Sequence, residues 1–290
     1  MIIVTGGAGF VGSHLVDALI QDGKEVLVID NFSTGSRKNL NSKAKLWRGK
    51  DQSVEGVQSY FRYGGDMVKG PVEVIFHLAA LPRIQPSFDA PHNTYEANST
   101  GTIVALEMAR HHKARLIYAG SSTADSDVML NPYAYTKWLG EQHCKLYNKL
   151  YGVEGAIARF YNVYGHRQIE DGSFSTVMGI FEKQWRDGKP LTVTGDGKQR
   201  RDFTHVSDIV SGLIAMSKEN RNFLTFALGS GRNYSVKEIA EMFHTSIKYI
   251  SKRPGEAKNT QAEIKKTKKN LGWSPQGNIE KYIANIIGEQ

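Results

Sequence analysis

The segment Thr5-Gly6-Gly7-Ala8-Gly9-Phe10-Val11-Gly12-Ser13 follows an apolar, β-branched run, Ile2–Thr5. It leads into Phe10–Gln21, where Val11, Leu15, Ala18 and Leu19 recur at helical spacing. Glycines at 6, 9 and 12 in a strand-to-helix turn leave few folds open. Gly6 permits a tight turn, Gly9 lets backbone approach a pyrophosphate, and Gly12 lets the helix pack close to the strand. Phe10 and Val11 open the helix, where free N–H groups and the macrodipole favour an anion. Any strand-to-helix turn can take glycines, so context decides. Here a strand precedes, a helix follows, and Asp30, 18 residues past Gly12, ends the next strand. A carboxylate there accepts adenosine ribose hydroxyls and repels a 2′-phosphate. With Asn31 next and no Arg immediately after, NAD(H) is expected over NADP(H).

The alternation continues through the first half. Strands are expected at Glu25–Ile29, Val72–Leu78, Arg115–Ala119 and Ala156–Phe160, with helices at Asn93–His112 and Pro132–Tyr151. This order implies an α/β fold with a doubly wound parallel sheet covered on both faces. Residues 40–70 carry no clear pattern. After Phe160, helices are expected at Ser175–Arg186, Val206–Lys218 and Ser235–Phe243, and strands at Leu191–Thr194 and Phe223–Ala227. The expected division is a cofactor-binding domain over 1–160 and a smaller α/β substrate-binding domain over 161–290, with some elements of the second returning to the first.

Composition narrows the setting. A single Cys excludes an internal disulfide or a cysteine zinc cluster and points to a reducing, cytoplasmic interior. No apolar run approaches the roughly 20 residues that span a bilayer. The formal charge of +8 suits an anionic partner. Much of it lies between Lys248 and Lys269, without the interleaved aromatics of a nucleic-acid stacking platform, so a solvated helical face is expected there. The nine histidines include no H-E-x-x-H or close ligand cluster, and no metal is expected.

Pro132-Tyr133-Ala134-Tyr135-Thr136-Lys137 opens the helix Pro132–Tyr151 with Pro in its first turn. Tyr133 and Lys137 stand at i and i+4 and share a face. An ammonium beside a phenol favours the phenolate and makes a usable general base or acid. Tyr135 is only two residues from Lys137 and faces elsewhere.

Taken with His77-Leu78-Ala79-Ala80, Asn98 and the Ser121–Thr123 cluster, these features resemble the extended short-chain dehydrogenases/reductases with a Rossmann-type fold. More narrowly, they resemble the NAD-dependent nucleotide-sugar epimerases and dehydratases. Arg159-Phe160-Tyr161-Asn162-Val163-Tyr164-Gly165, Gly195-Asp196-Gly197 with Arg201-Asp202-Phe203, and Arg253-Pro254-Gly255-Glu256 are similar to that group's ordered motifs. The resemblance implies NAD contacts from Gly6, Gly9, Phe10, Val11, Gly12, Asp30, Asn31, Leu78, Ala79, Ala80, Asn98, Tyr133 and Lys137. It implies that Ser121, with Ser122 and Thr123 as alternates, helps Tyr133 grip the reacting hydroxyl. Asn162, Arg201 and Arg253 would meet a diphosphate, and Glu256 a nucleoside ribose. Guanidinium forks and a carboxylate suit those groups chemically.

Three features depart from the pattern. Only 12 residues separate Ser121 from Tyr133, so a substrate-covering loop is trimmed. Asp125-Ser126 stands where the group carries Tyr-Gly. Gly49-Lys50-Asp51 replaces a Gly-Asp pair, leaving Asp51 as the candidate adenine contact. The resemblance favours a 4-epimerase of UDP-glucose/UDP-galactose or their N-acetyl forms, working through a transient 4-keto sugar. The similar dehydratases place Asp and Glu after the hydroxyl residue, where this chain has Ser122 and Thr123. A dehydratase or decarboxylase is therefore the alternative, followed by a non-enzymatic NAD- or nucleic-acid-binding relative. A homodimer through the helices Asn93–His112 and Pro132–Tyr151 is also implied. A small residue at Thr260 would leave room for an N-acetyl group; the same Thr260-Gln261-Ala262-Glu263 reads as a capping box that could start the last basic helix.

Overall fold

Ile2–Thr5, four buried residues, forms the central strand β1 of a computed structural model that describes residues 1–48, 68, 70–219 and 222–288. Around it stand β2 (Val26–Asp30), β3 (Lys45–Arg48), β4 (Val74–His77), β5 (Arg115–Ser121), β6 (Gly155–Phe160) and β11 (Leu224–Leu228). They make one sheet in the order β11-β6-β5-β4-β1-β2-β3, parallel throughout. Their apolar runs follow from burial on both faces. The order reverses beside β1, with β2 on one side and β4 on the other, and that opens a crevice at the strands' carboxyl ends.

Helix α1 (Phe10–Gln21) packs Leu15, Val16 and Leu19 under one face of the sheet. On the other lie α4 (Gly101–His112) and α5 (Pro132–Tyr151), whose Ala105, Leu106, Ala109 and Cys144 meet Ile75, Leu116 and Tyr118. The helix expected over Asn93–His112 is segmented: a short helix at Pro91–Tyr95, a π-turn at Glu96–Thr100, then α4. Such π-turns are frequent at functional sites.

Beyond Phe160 the chain builds a second core and also returns to the first. Helix α7 (Val206–Ser217) packs Ile209, Leu213 and Met216 against the face that α1 covers, and β11 extends the sheet edge beside β6. Trp273, 5% exposed, joins the same core, its indole N–H donating to the Asp208 carbonyl. The smaller core gathers Phe181, Leu191, Val193, Ile239, Phe243 and Ile283 around the pair β8 (Leu191–Thr194) and β13 (Ile247–Ile250). The basic helix begins at Lys265, not at Thr260: Thr260 donates its N–H to the Arg200 carbonyl in an extended segment, and its buried hydroxyl has no partner among the described residues. No helix among the described residues is long and apolar enough to cross a membrane.

Candidate active site

The crevice is a cavity of about 700 Å³ whose floor is the glycine turn and whose far wall comes from the second half of the chain. Gly6 has φ +71°, and a Cβ there would sit 2.7 Å from the Ala79 nitrogen, so only glycine lets the 78–80 segment close over the turn. A Cβ on Gly12 would lie 2.1 Å from the Gly6 carbonyl oxygen, which would push the helix off the turn. Gly9, Phe10, Val11 and Gly12 face the cavity and offer it the amino end of α1. The bare, N–H-lined turn fits a pyrophosphate.

Asp30 and Asn31 also line the cavity. Asp30 Oδ2 accepts from the Ala8 N–H at 2.8 Å and Oδ1 from the Phe32 N–H at 2.7 Å, so this carboxylate builds the turn as well as facing it. Each oxygen keeps a lone pair for a ribose hydroxyl. Asn31 caps the next turn by accepting from Ser33 N–H. Asp51 lies outside the described residues. Asn98 stands behind the cavity, not in its lining. Its side chain bridges both backbone groups of Leu81 and reaches the Thr136 hydroxyl, fixing the segment that carries Leu78, Ala79 and Ala80 against α5.

Tyr133 and Lys137 line the cavity together with Ser121, Ser122 and Thr123 at the end of β5. Asn131 caps α5 by accepting from the Ala134 N–H, and the Tyr133 N–H donates to Ser87 Oγ, so the first turn of the helix is held at both ends. Lys137 is 4% exposed. Its ammonium lies 4.6 Å from the Tyr118 ring centre, and the Tyr118 hydroxyl donates to the Lys137 carbonyl. That ring fits beneath α5 because position 140 is glycine; a Cβ there would meet the phenol oxygen at 2.2 Å. Burial lowers the lysine to about 8, with the Glu141 charge opposing. His77, wedged between the Thr5 and Thr102 hydroxyls, is lowered to about 3 by burial and the Lys137 charge, and is neutral throughout the working range. Tyr135 turns away and packs on Trp138 and Tyr95.

Ser121 Oγ accepts from the N–H and hydroxyl of Thr123, which leaves the serine proton free to donate into the cavity. Asp125 closes the trimmed loop: it pairs with Arg159 and receives the Tyr161 hydroxyl, while Arg159 also grips fully buried Glu141 through two bonds of 2.8 and 2.7 Å. Asn162, Arg201, Arg253 and Glu256 line the same cavity, with Arg201 3.5 Å from Glu256. Gln85 and Asn131 hold the Arg253–Glu256 loop through the carbonyls of Pro254 and Gly255. Thr260 is not in the lining. Sequence reasoning missed Arg83 and the loop Gly172–Val177, both in the cavity wall. Neither carries a motif.

A glycine turn at a sheet's reversal point and a Tyr-Lys pair that shares its cavity with a serine together define a dinucleotide-dependent α/β enzyme of the short-chain dehydrogenase/reductase type. Within that class the chain belongs to the NAD dependent epimerase/dehydratase family, whose model matches residues 2–229. It is 33% identical to the putative UDP-glucose 4-epimerase of Methanocaldococcus jannaschii over 99% of this chain and 97% of that one. It is 32% identical to UDP-glucuronic acid decarboxylase 1 of Xenopus tropicalis, across 99% of this chain and 71% of the relative. The crystal structure of UDP-glucose 4-epimerase with UDP-glucose from Thermotoga maritima superposes with a TM-score of 0.90 at 28% identity, covering 99% of this chain and 97% of that one.

Proposed function

We propose that this enzyme is an NAD-dependent 4-epimerase of UDP-hexoses. The carrying observation is that Tyr133, Lys137 and Ser121 share one cavity with the glycine turn, while Ser122 and Thr123 follow Ser121 where dehydration would need carboxylates. The acids lining that cavity among the described residues are Asp30, Asp89 and Glu256, and none of them follows Ser121 on its strand end.

NAD, when bound, supplies the oxidation and re-reduction at C4 that inverts the carbon. The turn over 6–12 and Asp30 hold the dinucleotide, and Lys137 steadies its nicotinamide ribose. Tyr133 Oη, as phenolate, takes the C4 hydroxyl proton and later returns it, with Ser121 Oγ donating to the same oxygen. Lys137 is an ammonium below about pH 8, a positive charge on the same helix face as Tyr133. Arg201, Arg253 and Asn162 anchor the diphosphate and Glu256 the ribose, so the sugar can turn while its diphosphate end stays fixed. Exposed Tyr95, Leu146, Leu150 and Tyr151 on the two outer helices give a homodimer its apolar contact.

Incubation with UDP-glucose, UDP-N-acetylglucosamine and UDP-glucuronate, with products identified by NMR, tests the reading. Inversion at C4 supports it. Unchanged sugars, or loss of CO2 or water in place of inversion, would overturn it.

A further inference from the structure

Among the described residues, Arg83 is the cavity cation near Tyr133 to which the proposed function gives no role. Its backbone is unusual: φ +88° and ψ 142° lie outside even the left-handed helical well, in a region that side chains avoid. Residues held so are found where surrounding structure forces them, and such sites cluster at ligand clamps. Two restraints are visible here. Pro82 precedes Arg83, and Ile84–Asp89 starts a helix whose Ser87 is tied to Tyr133.

The guanidinium is partly buried and lines the cavity. Nε donates to the Phe174 carbonyl at 3.1 Å. Among the described residues Nη1 and Nη2 have no acceptor, and no carboxylate pairs with the group; the ionisable side chain whose field reaches it is Tyr133. A half-buried guanidinium that faces a cavity without an anion is an incomplete pair. With Nε engaged, the two Nη atoms leave an end-on fork, the geometry that takes both oxygens of one carboxylate.

The position decides which anion. Phosphates have cations of their own in the lining, Arg201 and Arg253, the second on a loop that Gln85 holds through the Pro254 carbonyl. Arg83 instead sits beside the tyrosine that, on the proposed function, touches the sugar's C4 hydroxyl. The group within its reach is a substituent of the hexose ring.

We propose that Arg83 is a specificity-determining residue that selects UDP-hexoses carrying a carboxylate on the sugar. The inference rests on the proposed UDP-hexose site and names its substrate class. Phe174, by capping Nε, aims the fork, and the Gly172–Val177 loop thereby becomes part of the recognition surface.

The test is titration calorimetry of the NAD-loaded protein with UDP-glucuronate and UDP-glucose. The uronate should bind at least about tenfold tighter, the weight of one charge-assisted pair. In Arg83→Met that ratio should collapse toward one, and Arg83→Lys, which keeps charge without a fork, should restore part of it. Arg83→Gly relieves the backbone, so it should fold with a raised Tm and still lose the preference. Equal affinities in the wild type, or a ratio that survives in Arg83→Met and Arg83→Gly, would overturn the inference. So would a loss in NAD affinity with the sugar ratio intact, which would assign the group to the cofactor. Turnover is read separately: a uronate preference that depends on Arg83 but leads to CO2 release supports this role while refuting 4-epimerisation.

Discussion

Glu141→Gln should separate the chemistry of Lys137 from its packing. Glu141 is fully buried, one turn beyond Lys137, and doubly bonded to Arg159. Its charge opposes the burial that lowers Lys137 to about 8. Side chains at i and i+4 are neighbours with Cβ atoms about 6 Å apart. At an effective dielectric of about 20, unit charges at that distance interact by roughly 3 kcal/mol. Even half of that is about one pH unit. The variant also leaves Arg159 less neutralised, which pushes Lys137 in the same direction. Stability should fall by about 3 kcal/mol, the usual result of breaking a buried pair from one side. The assay is a pH profile of kcat/KM for C4 inversion. In the wild type the basic limb should fall near pH 8 as the ammonium is lost; in Glu141→Gln it should move down by roughly one unit. The stability sign follows from the same shift: a lysine lowered on folding penalises the folded state below about pH 8, and the penalty fades as pH rises toward the unfolded value. A basic limb that stays in place or moves upward would refute the coupling.

Four further outcomes can be checked. Tyr133→Phe should keep NAD and UDP-sugar binding by calorimetry but lose several orders of magnitude in turnover; near-wild-type turnover would remove it as the base. Asp30→Ala frees the Ala8 and Phe32 N–H groups, so fluorescence titration should show weaker NAD binding and relaxed rejection of NADP. Thr260→Val removes a buried hydroxyl that has no partner among the described residues and should raise stability by about 1 kcal/mol in urea unfolding. Leu146→Glu should shift light scattering from dimer to monomer at micromolar concentration, since Leu146 is 48% exposed on the proposed contact.

Legibility in the sequence followed periodicity and burial. Ile2–Thr5, Phe10–Gln21, Pro132–Tyr151 and Leu191–Thr194 have the bounds their patterns predict, because each is an uninterrupted run with clear caps or glycines. Lys45–Arg48 is a strand of half-exposed residues with no alternation to reveal it. Ile84–Asp89 is helical despite Pro86, which sits in its first turn, where proline is tolerated. At the site, residues inside motifs were legible; those defined by what they approach from a distance were not. Asn98 shows a motif position working one layer behind the cavity, holding backbone. Counting along a loop placed Thr260 at the pocket, but a count cannot tell which side of an extended segment faces in. Arg83 has no neighbours in sequence that mark it; what singles it out is that no carboxylate among the described residues pairs with it.

The sheet that positions the cofactor turn is completed late. Strand β6 ends at Phe160, but its outer neighbour β11 comes some 60 residues later and Trp273 about 110 residues later. At roughly 5–20 residues per second, a ribosome needs on the order of 5–20 s to supply the missing pieces. For that interval the nascent first half presents an unpaired apolar edge, the kind of surface that recruits strands from other chains. Recombinant yield should therefore depend on translation speed and chaperone supply through the second half of the message, and a fragment ending at residue 160 should aggregate.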